Sequence, residues 1–169
     1  MRQRTRQIAH AAIIAALYVV LTHAQNILIP NSASFAIQFR VSEALCVFSL
    51  FTPAAPIGLT IGCALFNLTY AGALPLDFLI GSAATLFACG SMYFLRKVCV
   101  KGYPLAAMLM SAIWNAVLVG WELSVYIGGG FWLNALYVAI GEAAVLLSLG
   151  TFLYYAIKLR RLDTRLFSE

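Results

Sequence analysis

Apolar runs of near-membrane length, joined by short turns, fill this chain from end to end. A span of lipid needs about 20 mostly apolar residues. Six such runs with short loops consume the 169 residues. Only 10% of the residues are charged and 63% are hydrophobic, against about 25% charged in a soluble domain. The chain therefore reads as an all-α integral membrane protein, a single six-helix domain over residues 1–169 with no room for a soluble one.

The breaks locate the helices. The first covers about 7–25, the second about 39–51, the third about 57–70. The fourth covers about 76–95, the fifth about 104–127 and the sixth about 131–158. A polar, Ser-rich loop with Pro30 joins the first two, and irregular backbone of that kind does not cross lipid. Thr52-Pro53-Ala54-Ala55-Pro56, Gly72–Pro75 and Gly128-Gly129-Gly130 make the other tight breaks. The start resembles a signal peptide, with basic residues, an apolar run from Ile8 to Leu21, then Thr22-His23-Ala24. Because further spans follow, the reading is a retained first helix.

A net charge of +5 invites a nucleic-acid reading, but its placement opposes one. Arg2, Arg4 and Arg6 precede the first helix; Arg96, Lys97 and Lys101 sit mid-chain; Lys158, Arg160, Arg161 and Arg165 follow the last. With both termini cytoplasmic, six spans put all three clusters inside, as the positive-inside rule requires. The turns before helices two, four and six then face outward. Cys46, Cys63, Cys89 and Cys99 show no C-x-x-C spacing and read as buried small hydrophobes, not as a metal site or disulfide frame. His10 and His23, at opposite ends of helix one, are assigned no chemistry.

Four acids interrupt the apolar helices: Glu43, Asp77, Glu122 and Glu142. A charge at mid-membrane costs about 2.5–3.5 kcal/mol on insertion scales, so an acid there is read as functional. In the six-span topology all four fall toward the outer side, where Asn67 and Tyr70 close helix three. The pattern predicts an outward-facing pocket for a small, polar, cationic or amide-rich molecule.

Neighbouring residues fill in that pocket, each with a plainer alternative. Ser111, Asn115 and Glu122 share a stripe on helix five, and Trp114 and Trp121 form the adjacent one. The tryptophans either line the site or face lipid; Trp132 suits an interfacial belt. On helix six Asn134, Val138 and Glu142 align, flanked by Tyr137 and Gly141; Glu142 is either a site residue or a structural hydrogen-bond partner. Arg40 and Glu43, three apart, either pair as an entrance salt bridge or touch substrate. Ala11, Ala12, Ala15 and Ala16 make a small-residue face on helix one, for packing inside the bundle or for docking a partner. A serine elbow, an H-E-x-x-H motif, paired aspartates and a Walker loop are all missing, so the reading is not an enzyme, and any use of ATP falls to a partner.

Gln38-Phe39-Arg40-Val41-Ser42-Glu43-Ala44-Leu45, Phe51-Thr52-Pro53-Ala54-Ala55, Gly58-x-x-x-Gly62-Cys63-x-x-x-Asn67 and Pro75-Leu76-Asp77-x-x-x-Gly81-Ser82-x-x-Thr85-Leu86 resemble the QueT family. Gly120-Trp121-Glu122-Leu123 and Gly141-Glu142 extend the likeness to the later helices, so it covers almost the whole chain. Pro56 departs from the family pattern at the junction of helices two and three. The resemblance implies a substrate-binding S component of an energy-coupling factor (ECF) transporter for queuosine precursors, in a bacterial cytoplasmic membrane. It implies the six-helix S-component fold, with external loops capping the pocket. It implies docking of the alanine face on a transmembrane coupling protein, with two cytoplasmic ATPases driving a tipping motion. The cargo it implies is a 7-deazaguanine: preQ0, preQ1 or queuine. No cofactor, metal or nucleic acid enters.

The residues fit that cargo. A deazaguanine presents N1–H beside an exocyclic amine, and one carboxylate accepts both. Its O6 takes a donor from Asn115, Asn134 or Arg40. Its flat ring suits Trp114, Trp121 or Tyr137, a stack worth about 1–3 kcal/mol. preQ1 and queuine add a basic amine for a second carboxylate; each charge-assisted hydrogen bond is worth about 1.5–3 kcal/mol. Acids left unpaired would disfavour a ligand lacking those donors by as much as roughly 10⁴-fold. Glu122 and Glu142 are expected to take the two recognition roles, in either order, with Asp77 and Glu43 shaping the gate. The competing readings are an S component for another vitamin and an ion-coupled carrier using the acids as proton sites.

Overall fold

The computed structural model describes residues 2–29 and 39–166. They form α1 (Arg2–Leu28), a 3-10 helix (Val41–Leu50), α2 (Ala54–Thr69), α3 (Asp77–Leu95) and α4 (Leu105–Tyr126). α5 (Phe131–Val145), a π-helical turn (Leu146–Gly150) and α6 (Thr151–Leu159) follow, then the short α7 (Leu162–Leu166). Most of the loop between the first two helices, with Pro30 and Gln38, lies outside the described residues.

Among the described residues, four helical stretches are long and apolar enough to cross a membrane: Gln3–Leu28, Asp77–Leu95, Leu105–Tyr126 and Phe131–Leu159. The last joins α5, the π turn and α6 into one rod. The 3-10 helix rises about 20 Å at 2.0 Å per residue, and α2 about 24 Å at 1.5 Å per residue. Both are short of a bilayer core of about 30 Å. Ile13, Val20, Leu79, Phe94, Trp132 and Phe152 are among many large apolar side chains left exposed. An apolar surface of that extent belongs against lipid, not water.

The second predicted helix is the exception in kind. It is a ten-residue 3-10 helix with eight residues buried, and it touches α1 through α6. Its polar residues Ser42, Glu43 and Ser49 are buried along with its apolar ones, as befits a helix at the centre of the bundle. Three residues per turn set side chains at i and i+3 above one another. Glu43 and Cys46 therefore stack along one edge, just after Arg40, the extended residue that precedes the helix.

Glycine sets how closely the helices approach. A Cβ on Gly58 would lie 2.5 Å from the Ala11 carbonyl oxygen, and one on Gly62 2.9 Å from that of Ala15. One on Gly120 would lie 2.7 Å from Ala135 Cα. Bare backbone at these points lets α2 lie on α1, and α5 on α4. Tyr18, Leu59, Phe66, Met92, Met108 and Leu146 then fill the main core. The triglycine turn before α5 has φ of 89°, 82° and 82°, a conformation that only glycine adopts without strain.

Two expectations change. Pro56 does not delay α2, which starts at Ala54, because the first turn of a helix has no intrahelical use for the missing N–H. Cys46, Cys63 and Cys89 are buried, but Cys99 is exposed, since it lies in the turn beyond α3.

Candidate functional site

Arg40, Glu43, Asp77, Glu122 and Glu142 are all buried. They come from five elements: the residue before the 3-10 helix, that helix, and the buried faces of α3, α4 and α5. Arg40 is their common neighbour, acting electrostatically on Asp77, Glu43, Glu122 and Glu142. Four carboxyls thus share one guanidinium inside the bundle. Such an excess of acid is costly in low dielectric unless something cationic or rich in N–H donors completes it.

Each acid is held differently. Glu43 Oε1 accepts from the Tyr18 hydroxyl at 2.7 Å, and its Oε2 from the Cys46 thiol at 3.2 Å. Asp77 Oδ2 accepts from the Leu74 N–H at 2.8 Å, which fixes the turn into α3. The Asp77 carbonyl oxygen accepts from Asn67 Nδ2 at 2.8 Å. Glu142 Oε2 accepts from the Ser111 hydroxyl at 3.2 Å. Asn115 Nδ2 lies 3.1 Å from the Ser111 carbonyl oxygen and 3.2 Å from its Oγ. Ser111, Asn115 and Glu122 thus form a buried stripe on α4, and Asn134, Val138 and Glu142 another on α5.

Other expected site residues have contacts of their own. Asn134 Nδ2 donates to the Gly128 carbonyl oxygen at 2.7 Å and so ties down the triglycine turn. Trp121 is 49% exposed, one position from fully buried Glu122. Trp114 donates to Ser91 Oγ at 3.0 Å and packs its ring 5.0 Å from that of Phe87, on the α3–α4 seam. Tyr137 is half-buried.

Sequence reasoning missed the polar edge of α1. Tyr18, Thr22 and Gln25 recur at i, i+4 and i+7 within an apolar helix, and that spacing is the signal that marks them. Thr22 Oγ1 lies 2.7 Å from Ser42 Oγ. Gln25 Nε2 donates to the Phe39 carbonyl oxygen, and its Oε1 accepts from the Val41 N–H at 2.7 Å. With Tyr18 on Glu43, three α1 side chains grip the entry to the 3-10 helix and so place Arg40 and Glu43.

The alanine face divides. Ala15 is buried and Ala11 half-buried, at the Gly62 and Gly58 crossings, whereas Ala12 and Ala16 are exposed. Beside them an apolar groove of about 630 Å³ runs between α1 and α2, lined by Arg4, Gln7, Ala12, Pro53, Ile57 and Ile61 among others. Among the described residues no group of His, Cys, Asp and Glu side chains could hold a metal ion.

Apolar helices wrapped around a buried, acid-rich polar centre define a multi-pass membrane protein of the transporter class. The family profile described as QueT transporter matches residues 8–159, and the chain belongs to that family. It is also similar to the Queuosine precursor transporter QueT of Lactococcus lactis subsp. cremoris (strain MG1363), with 36% identity over 86 residues. That alignment takes in 50% of this chain and 48% of the relative, about half the length of each. No solved structure matches.

Proposed function

We propose that this chain is the substrate-capturing S component of an ECF-type importer, taking a 7-deazaguanine queuosine precursor such as preQ0, preQ1 or queuine. The observation that carries this reading is the burial of four carboxyls around Arg40, in a member of the QueT transporter family. A donor-rich, cationic heterocycle is what such a centre lacks. The relative's name supports the cargo class.

In this reading the chain is one membrane domain of six helical segments, with both termini cytoplasmic and the acids toward the outer face. Glu122 and Glu142 take the two recognition roles. Arg40 and Asn115 serve O6, Asn67 and Asp77 shape the wall, and Glu43 supports the gate. Tyr137 is the ring-facing aromatic, because it is half-buried on the helix that carries Glu142. Trp114, Trp121 and Asn134 keep supporting roles at the edge. The exposed Ala12 and Ala16, with the groove beside them, dock the coupling protein. Two ATPases on the cytoplasmic side supply the energy.

Titration of the purified protein with preQ1 tests the cargo. Glu122→Gln and Glu142→Gln are each expected to weaken binding at least about tenfold, the loss of one charge-assisted hydrogen bond. Wild-type affinity in both variants would remove the acids from the site. Reconstituted vesicles test the energy source. Uptake requiring ATP and the coupling proteins supports the importer; uptake driven by a pH gradient alone would make this an ion-coupled carrier.

A further inference from the structure

Buried acceptors in folded proteins almost always have a donor. Three of the four acids conform: Glu43 through Tyr18 and Cys46, Asp77 through the Leu74 N–H, and Glu142 through Ser111. Glu122 does not. It is 0% exposed, and neither Oε1 nor Oε2 meets a hydrogen-bond donor among the described residues. Another carboxyl, that of Asp77, acts on it electrostatically, as does Arg40. Asn67 Oδ1 is another buried acceptor with no partner among the described residues. Its Nδ2 is already committed to the Asp77 carbonyl oxygen. Open acceptors therefore occur on α4, at Glu122, and on α2, at Asn67, whose amide is bonded to the Asp77 backbone.

Packing keeps them open. Gly81 lies beside Asn67, where a Cβ would come within 2.9 Å of Nδ2, so the amide is seated against bare backbone. Glu122 follows the Gly120 crossing with Ala135 by two residues. Both side chains are buried. What this corner lacks is a ligand edge with adjacent N–H donors.

We propose that Glu122 is the specificity subsite that reads two side-by-side N–H donors on the edge of a flat heterocycle. The inference rests on the function proposed above and deepens it. Glu122 takes N1–H and the 2-amino group of the 7-deazaguanine, and Glu142, already bonded to Ser111, is left for the basic side arm. Glu43, with both oxygens occupied, does not select the ligand.

The test compares two probes on the full-length protein in detergent. One is 7-aminomethyl-7-deazaguanine; the other is the same compound without its 2-amino group. Buried polar sites reject analogues that leave them unpaired by up to about 10⁴-fold. The wild type is expected to prefer the first probe by at least about 10²-fold. In Glu122→Gln that ratio falls below about tenfold, while Glu142→Gln binds both probes more weakly and keeps the ratio. Should Glu122→Gln fail to fold, Glu122→Asp carries the same comparison, since it withdraws both oxygens by one methylene. A wild type that binds the first probe, with an unchanged ratio in the Glu122 variant, overturns this inference and leaves the proposed function standing. A wild type that binds neither probe overturns both.

Discussion

The Tyr18 hydroxyl donates to Glu43 Oε1 at 2.7 Å, with Tyr18 fully buried in α1 and Glu43 at 1% exposure in the 3-10 helix. One bond thus ties the outermost long helix to the central short one. Together with the Thr22 and Gln25 contacts it holds the backbone from which Arg40 and Glu43 project.

Tyr18→Phe removes that donor and leaves a buried carboxylate oxygen with less than it needs. A hydrogen bond to a charged group is worth about 1.5–3 kcal/mol. The variant is expected to unfold earlier by a loss of that size, measured by thermal or chemical denaturation in detergent. An unchanged melting curve would show that α1 does not anchor the 3-10 helix in this way.

Glu122→Gln is expected to shift stability the other way in the ligand-free protein. Its amide N–H can donate to Asp77, where two acceptors now face each other. Relief of a buried unsatisfied group is worth about 1–3 kcal/mol. The ligand-free variant therefore melts higher than wild type while its affinity drops, the trade expected of a binding residue. Lower stability together with full affinity would contradict both halves.

Two glycine-to-alanine changes separate contact from propensity. At Gly58 the new methyl meets the Ala11 carbonyl at 2.5 Å, and overpacking of this kind costs about 1–3 kcal/mol. At Gly90, on α3, nothing lies within 4 Å, and alanine gains about 1 kcal/mol of helix propensity. The pair is expected to bracket wild type in a denaturation series.

At the end of the membrane rod, Lys158 Nζ lies 2.9 Å from Asp163 Oδ2. The ammonium holds the Asp163 carboxyl below its usual range. A depressed folded value means the stabilisation is present above the ordinary carboxylate value and is lost as pH falls through the folded one. The pair is largely solvated, so it is worth at most about 1 kcal/mol. Asp163→Asn is expected to remove that acid-side slope, and to leave substrate affinity at neutral pH untouched.

The helices were legible because apolar length and punctuation mark them. α3, α4 and α5 begin within a residue of their expected starts. α1 is longer than its apolar run, because arginine and glutamine continue a helix as readily as leucine does. The change of winding at Val41–Leu50 left no mark, since so short a run does not separate three residues per turn from 3.6. The same holds for the π turn at Leu146–Gly150, where a Cβ added to Gly150 would lie 3.3–3.4 Å from the Val47, Leu146 and Met108 side chains. Trp114 and Trp121 show where periodicity stops: spacing placed them on one stripe, but only packing shows that Trp121 lies on the exposed side.

By itself the sequence determined that the chain is a helical membrane protein carrying four acids it has no thermodynamic reason to bury. That follows from composition and order along the chain, which are local properties. Tertiary structure decided which acids are satisfied and which are left open. Tyr18 reaches Glu43 across 25 positions and Ser111 reaches Glu142 across 31, while nothing among the described residues donates to Glu122. Hydrogen-bond partners so far apart are chosen by how the helices cross, and the crossings are set by glycine contacts that a linear pattern does not reveal.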